Sequence, residues 1–126
     1  MRESAEGTRY FAFDLPKVSE GEPDERYGVR KAVLTPEDIK EYFDCEHHIF
    51  MQGACCHRSM IYSLEGFTNI EGKPPVLRVI DTAAKRQALY ADLREYGSPI
   101  EPEFIDFYGE VCYFADVHGK LFRIDF

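Results

Sequence analysis

The last quarter of the chain places the strongest constraint on the fold, because short apolar and aromatic runs alternate there with tight turns. The runs cover residues 103–108, 111–115 and 121–126. Gly109 and Glu110 separate the first two runs, and Asp116 and Gly119 stand where a type I turn prefers Asp and Gly. In the third run, every second residue is apolar and points one way, which is the period of a half-buried strand. The pattern predicts three consecutive strands joined by short turns.

Two segments upstream carry the signals that begin an α-helix. In the first, Thr35 can cap the orphan backbone N–H groups of an opening turn, Pro36 suits the first helical position, and Asp38 can complete a capping box. A short helix is therefore predicted from this point to residues 44–47. Its apolar face would be formed by Ile39, Tyr42 and Phe43.

The second helical segment follows an apolar run at residues 76–80. Asp81 and Thr82 provide a cap, and Gly97 provides the glycine that often ends a helix. Residues 83–96 lie between these signals and contain apolar side chains at helical spacing. A helix is predicted there, with one face formed by Leu89, Leu93 and Tyr96.

The remaining apolar runs are predicted to be strands, at residues 9–15, 27–34, 48–52 and 59–65. Residues 16–26 combine Pro, Gly and charge, which predicts an exposed, mobile loop. The chain is thus predicted to be a single α+β domain over residues 1–126. It would contain an N-terminal strand and loop (1–26) and two strand-helix-strand-strand-strand modules (27–74 and 75–126) that form a curved mixed or antiparallel sheet.

The closing segment, residues 113–124, reads as an aromatic strand, an Asp-x-x-Gly turn and a final apolar strand. This segment and the order of elements in the two predicted modules resemble the vicinal oxygen chelate superfamily of glyoxalase-like and bleomycin-resistance proteins. The resemblance is strongest over residues 75–126. The resemblance implies a cleft between two modules or across a homodimer. Where enzymes of that superfamily place metal ligands, this chain has residues near Pro75 and Arg123, so the resemblance implies a site without a metal cofactor.

Aromatic residues on the predicted strands are the candidate ligand-binding groups. The chain has ten Phe and eight Tyr and no Trp, and most of these rings must fill the core. A concave sheet face that combines Tyr hydroxyls with Phe rings would suit a planar or apolar small molecule. The residues chosen for this role are Phe50, Tyr62, Phe107 and Tyr113.

A candidate metal site lies in the Cys- and His-rich segment of residues 45–57. Thiolate and imidazole are the groups that bind zinc, and iron is a second candidate. A hairpin between the two ends of the segment would bring four candidate ligands together, although their spacing matches no standard zinc finger. The four are Cys45, His47, Cys55 and His57.

The charge balance restricts the partners. Acidic residues number 23 against 15 Lys and Arg, giving a net charge of −8 without any basic tract. Because Lys and Arg supply most non-specific affinity for phosphates, nucleic acid and anionic membranes are not expected as partners. No run approaches the ~20 apolar residues of a membrane span. A basic protein remains a candidate partner.

Four cysteines without an export signal indicate free thiols and a cytoplasmic location. The leading functional prediction is a non-enzymatic protein that binds a small molecule in an aromatic cleft. The alternative is an acidic interaction protein, such as an inhibitor or immunity factor, that uses residues 16–26. The second alternative is a metal-dependent enzyme that uses the segment from Cys45 to His57; no catalytic residue is identified.

Overall fold

A computed structural model describes residues 7–45, 50–67, 70–97 and 101–126 of the protein. Strands dominate this part of the chain, and its helical segments are single 3-10 turns at Val18–Glu20, Pro36–Asp38 and Leu93–Tyr96. The strands are β1 (Thr8–Phe13), β2 (Glu22–Asp24), β3 (Val29–Lys31), β4 (Ile39–Cys45), β5 (Met51–His57), β6 (Met60–Glu65), β7 (Val76–Asp81), β8 (Arg86–Asp92), β9 (Pro102–Tyr108), β10 (Val111–Asp116) and β11 (Leu121–Ile124).

The chain divides into two compact units: a smaller one of residues 9–44, and a larger one of residues 1–8 and 45–126. In the smaller unit, β1 pairs with β4 and β2 forms an antiparallel hairpin with β3. The hairpin includes residues 22–26 of the segment predicted to be a mobile loop. Residues 22–24 are therefore a strand rather than a loop, because their backbone groups are paired with β3, with Glu22 opposite Lys31 and Asp24 opposite Val29. The mobility of the rest of the segment stays a prediction.

The helix predicted after Thr35 is also absent, although its capping signal is real. The backbone N–H of Thr35 donates to Asp38 Oδ2 at 2.7 Å, and the Thr35 hydroxyl donates to the same oxygen at 3.0 Å. This capping box closes one 3-10 turn, after which the chain continues as β4. Ile39 and Phe43 are partly buried and Cys45 is buried. This alternation is that of a strand. The spacing of four residues between Ile39 and Phe43 had suggested a helix because it is close to one helical turn, but it is also twice the two-residue period of a strand.

The larger unit begins with an antiparallel sheet of four strands in the order β5-β6-β7-β8. Residues 53–57, predicted to be a connection, form most of β5. The turn lies instead at Arg58 and Ser59, whose φ angles of 48° and 61° are the positive values that a two-residue hairpin turn requires. The strands predicted around residues 59–65 and 76–80 are confirmed as β6 and β7.

The second predicted helix is replaced by a turn and β8. Asp81 Oδ1 accepts hydrogen bonds from the backbone N–H groups of Ala83 and Ala84, at 2.9 and 2.8 Å. These bonds hold a turn that returns the chain along β7, and Leu89 pairs with Val79. Gly97 does end a helical segment, with φ of 77°, but this segment is only the 3-10 turn Leu93–Tyr96.

The three C-terminal strands are confirmed. They form an antiparallel sheet in the order β11-β10-β9. Asp116 organises the last turn, because its Oδ1 accepts the backbone N–H groups of His118 and Lys120, both at 2.9 Å. Phe122 and Ile124 are partly buried and the residues between and before them are exposed, as the alternating pattern predicted.

The two sheets of the larger unit approach each other at β5 and β9. A Cβ placed on Gly53 would lie 2.6 Å from the carbonyl oxygen of Glu103, so only glycine permits this approach. Both sheets contribute to one buried cluster, which consists of Leu64, Leu77, Val79, Leu93, Ile105, Cys112 and Phe114.

The predicted α+β fold class is therefore wrong, since the described residues form small antiparallel sheets without an α-helix. The paired helix-containing modules are replaced by strands because pairing with β7, whose residues are nearly all buried, outweighs the helical signals of residues 83–96. The resemblance to the vicinal oxygen chelate superfamily stays a prediction. In the part of the chain that the structure describes, no helix combines the length and hydrophobicity that a bilayer span requires.

Candidate functional site

An apolar cleft of about 280 Å³ lies between β8 and β11 in the larger unit. We call it the seam cleft, because β8 and β11 are edge strands of their sheets. Leu89 and Ala91 from β8 and Leu93 beyond it form one wall, and Phe122 and Ile124 from β11 form the other. The cleft is therefore lined by the edges of both sheets, with mainly apolar side chains.

The floor of the seam cleft is buried and aromatic. Phe114 is buried and its ring stacks on that of Phe122, with ring centroids 4.6 Å apart and an interplanar angle of 9°. Lys120 Nζ lies 4.9 Å from the centroid of the Phe122 ring. Such stacking restricts ring rotation, so the surface that a ligand would meet is preformed.

The mouth of the seam cleft combines exposed apolar groups with one ion pair. Tyr96 and Phe126 are 75% and 68% exposed and line the cleft. Arg123 Nε donates to Asp125 Oδ1 at 2.8 Å, and both residues also line it. Arg123 alternates with Phe122 and Ile124 along β11, so its side chain points away from the apolar wall and a ligand would meet mainly hydrophobic side chains.

Two of the four predicted ligand-binding residues meet, but outside the seam cleft. The rings of Tyr62 and Phe107 are 4.7 Å apart at 63°, and Phe107 is also stacked on His57 at 4.0 Å and 5°. Tyr62 further contacts Phe126 at 5.6 Å. These rings pack mainly against one another, so they act as a wall of the core beside the cleft.

The other two predicted ligand-binding residues lie elsewhere. Phe50 packs against Phe67, with centroids 4.5 Å apart, and lines a separate pocket near the end of β6. Tyr113 pairs in register with Asp106 and Arg123, and its neighbours Cys112 and Phe114 face the core. Because side chains alternate along a strand, Tyr113 is on the opposite face. The four residues do not form one site.

The candidate metal ligands are only partly described. Cys55 and His57 lie on the same face of β5, Cys45 ends β4, and His47 falls outside the described residues. His57 Nε2 is 3.4 Å from Glu110 Oε2. Among residues 7–45, 50–67, 70–97 and 101–126, no group of three or more Cys, His, Asp or Glu side chains is placed to hold a metal ion. The metal site stays a prediction.

The cysteines of the larger unit differ in chemical character. Burial raises the pKa of Cys55 to about 11 and that of Cys112 to about 12, with a further contribution from Asp106. A thiol is nucleophilic as its thiolate, so both groups are protonated and unreactive at neutral pH. Cys56 is exposed. The arrangement supplies no activated nucleophile at Cys55 or Cys112.

Sequence reasoning missed the residues of the seam cleft on β8. Leu89 and Leu93 were identified as one apolar face, but of a helix. Ala91 between them was the signal for a strand, since residues at positions i, i+2 and i+4 share one face of a strand. The alternation of Phe122 and Ile124 was recognised, but the side chains opposite them were not.

Comparisons with known proteins found no matching family model, no similar curated protein and no similar solved structure. The function of this chain is therefore inferred from the geometry of its described residues.

Proposed function

We propose that this protein is a non-enzymatic binding protein that holds a small, largely apolar molecule in the seam cleft. The observation that carries the proposal is the preformed apolar cavity between β8 and β11, walled by Leu89, Ala91, Phe122 and Ile124. Ligand pockets are typically concave and mostly apolar, with a few polar groups that orient the ligand. The hydroxyl of Tyr96, which is exposed and lines the cleft, would supply that orientation.

The size of the cavity limits the ligand. A volume of about 280 Å³ is at the lower end of the range for ligand pockets, so the occupant is a compact molecule with no more than about three rings. Burial of its apolar surface would contribute about 25 cal/mol per Å² before the costs of association. We further propose that the protein works in the reducing cytoplasm. This is supported by three cysteines that form no disulfide in the described part of the chain: Cys55, Cys56 and Cys112.

The test uses the neutral, apolar fluorophore N-phenyl-1-naphthylamine as a probe. We expect its fluorescence to rise on titration with the protein and the affinity to fall by about tenfold or more in Ala91→Phe, which fills the cleft. Ala88→Phe is the matched control, because Ala88 is on the same strand, is exposed and does not line the cleft. Equal affinity of wild type and Ala91→Phe, with both proteins folded, would refute the proposal.

A second candidate function is interaction with a basic protein, which the net charge of −8 would attract, and the smaller unit carries an exposed aromatic cluster where such a partner could dock. Phe11, Phe13 and Tyr42 are exposed, and the Phe11 ring contacts each of the other two, with centroids 6.4 Å apart in both pairs. Arg9 covers the Tyr42 ring at 5.0 Å and pairs with Asp44 at 2.6 Å. Exposed aromatic clusters with Arg are typical of protein interfaces.

Capture of partners at low and at high salt tests this candidate, because charge-driven association weakens with ionic strength. A specific basic partner should be retained by wild type at low salt and lost from Tyr42→Ser. Tyr27→Ser is the matched control, since Tyr27 is also exposed and lies outside the aromatic cluster. Retention that is equal in the two variants would exclude the aromatic cluster as the interface.

A further inference from the structure

A second pocket, of about 320 Å³, lies on the other face of the four-stranded sheet. Leu77 lines the seam cleft, whereas its neighbours Val76 and Arg78 line this pocket, and adjacent residues of a strand point to opposite faces. The connection between β6 and β7 forms one side through Gly66 and Lys73. We call it the polar pocket, because its base contains charged side chains.

The base of the polar pocket is a buried ion pair. Arg78 Nε donates to Glu65 Oε1 at 2.7 Å and Arg78 Nη2 donates to Glu65 Oε2 at 3.1 Å, while the two residues are only 7% and 5% exposed. The Ser63 hydroxyl donates to Glu65 Oε1 at 3.3 Å, and Arg78 Nη1 donates to Gln87 Oε1. Among the described residues, these bonds use three of the five N–H groups of Arg78, so each terminal nitrogen retains one for a ligand.

Both cations of the polar pocket are positioned by aromatic rings. Lys73 Nζ lies 4.7 Å from the centroid of the Phe50 ring, and the Arg78 guanidinium lies 5.1 Å from that of Tyr90. One face of each ring is therefore already occupied by a cation of the protein. A cationic ligand would be repelled by these two cations, whereas an anion would meet two preoriented positive groups.

The charges of the lining residues define the ligand further. Glu65 contributes one negative charge, and Arg78 and Lys73 contribute two positive charges, so the pocket carries a net charge of about +1. We propose that the polar pocket is a binding site for a small molecule with a single carboxylate. The carboxylate contacts Lys73 and the remaining N–H groups of Arg78, and the rest of the molecule packs against Phe50 and Val76. A dianionic phosphate would leave uncompensated negative charge beside Glu65.

Benzoate is the probe for this site, compared with neutral benzamide and with phenyl phosphate. In ¹⁵N spectra, we expect benzoate to shift the amide signals of Gly66, Gly72 and Lys73, and Lys73→Gln to weaken its binding by about tenfold. Lys120→Gln is the matched control, because Lys120 also lies over a Phe ring but is outside the pocket. Benzamide should leave these signals unchanged.

Three results would overturn the proposal: no shift with benzoate in the millimolar range, equal binding of benzamide, or tighter binding of phenyl phosphate. Equal affinity of Lys73→Gln and wild type for benzoate would do the same. This site goes beyond the proposed function and is tested separately from it, since Ala91→Phe should bind benzoate as wild type does. Loss of naphthylamine binding with benzoate binding intact, or the reverse, would tell which of the two sites fails.

Discussion

Gly66 and Pro74 approach so closely that a Cβ on Gly66 would lie 1.9 Å from the Pro74 carbonyl oxygen. Gly66 also has a φ of 82°, and its N–H donates to the carbonyl of Phe50 at 3.0 Å. The contact closes the connection between β6 and β7 at the polar pocket. Since a Cβ at this distance forces the backbone apart, glycine is required here for two reasons, its conformation and its size.

Gly66→Ala is therefore expected to lower the free energy of unfolding by more than about 2 kcal/mol, as measured by urea denaturation. Gly72→Ala separates the two reasons. Gly72 has a similar φ of 76°, but a Cβ placed on it would have no atom within 4 Å. The free energy of unfolding of Gly72→Ala should therefore fall only by the cost of an alanine in the left-handed conformation, about 1 kcal/mol. Equal losses in the two variants would contradict the steric explanation.

Leu64 is fully buried at the centre of the core of the larger unit. Leu64→Ala is expected to destabilise the protein by about 2–5 kcal/mol, because it removes apolar burial and leaves a cavity. Leu121→Ala, at a position that is 62% exposed, should change stability by no more than about 0.5 kcal/mol. Chemical denaturation of both variants measures the difference. A small loss for Leu64→Ala would mean that the two sheets do not share one core.

Because two thiols are buried, we expect the free energy of unfolding to fall at alkaline pH. The pKa of Cys55 is raised from 9.0 to about 11, and that of Cys112 from 9.0 to about 12. An unfolded chain ionises both thiols near pH 9, whereas the folded protein keeps them protonated, so the unfolded state binds fewer protons in this interval. The contribution of the two protonated thiols to the free energy of unfolding is therefore complete below pH 9 and is lost as the pH rises through about 9 to 12.

The urea midpoint should fall over this interval in wild type and fall less steeply in Cys112→Ala. Alkylation with iodoacetamide, followed by peptide mass spectrometry, gives a second readout. Exposed Cys56 should react first, and Cys55 should react at a significant rate only as the pH approaches 11. Rapid alkylation of Cys55 at neutral pH would show that its thiol is not buried as described.

Asp81 holds the turn that stands where a helix was predicted. Asp81→Ala removes the acceptor for the N–H groups of Ala83 and Ala84 and is expected to cost about 1–2 kcal/mol. Asp81→Asn keeps an oxygen acceptor and should lose less than half of that amount. The circular dichroism of both variants should remain that of a β protein. A rise in helical signal would mean that residues 83–96 can form the helix that their local sequence favours.

Local sequence signals identified turns and caps well but did not identify the elements that these turns and caps belong to. The capping box of Thr35 and Asp38 and the glycine stop at Gly97 are both present, yet each belongs to a single 3-10 turn. The apolar spacings were ambiguous: Ile39 and Phe43, like Leu89 and Leu93, are four residues apart. Four residues is close to one helical turn and is also twice the period of a strand, so the spacing alone cannot separate the two.

The candidate site was predicted less well than the strands. Tyr62 and Phe107 do meet, because they lie on strands that face a common core. Phe50 and Tyr113 were grouped with them only because they are aromatic and were assigned to strands. The polar pocket carried no local signal, since Glu65, Arg78 and Lys73 are separated in sequence and their pairing requires the register of β6 against β7.

The sequence by itself determined the closing strands β9, β10 and β11, their turns, and the alternation of Phe122 and Ile124, because these depend on neighbours within a few residues. Only the tertiary structure decided that residues 39–45 and 86–92 are strands and that β8 lies across a cleft from β11. The physical reason is that strand pairing satisfies backbone hydrogen bonds with distant partners, and the burial gained against β7 exceeds the small helical preference of residues 86–92.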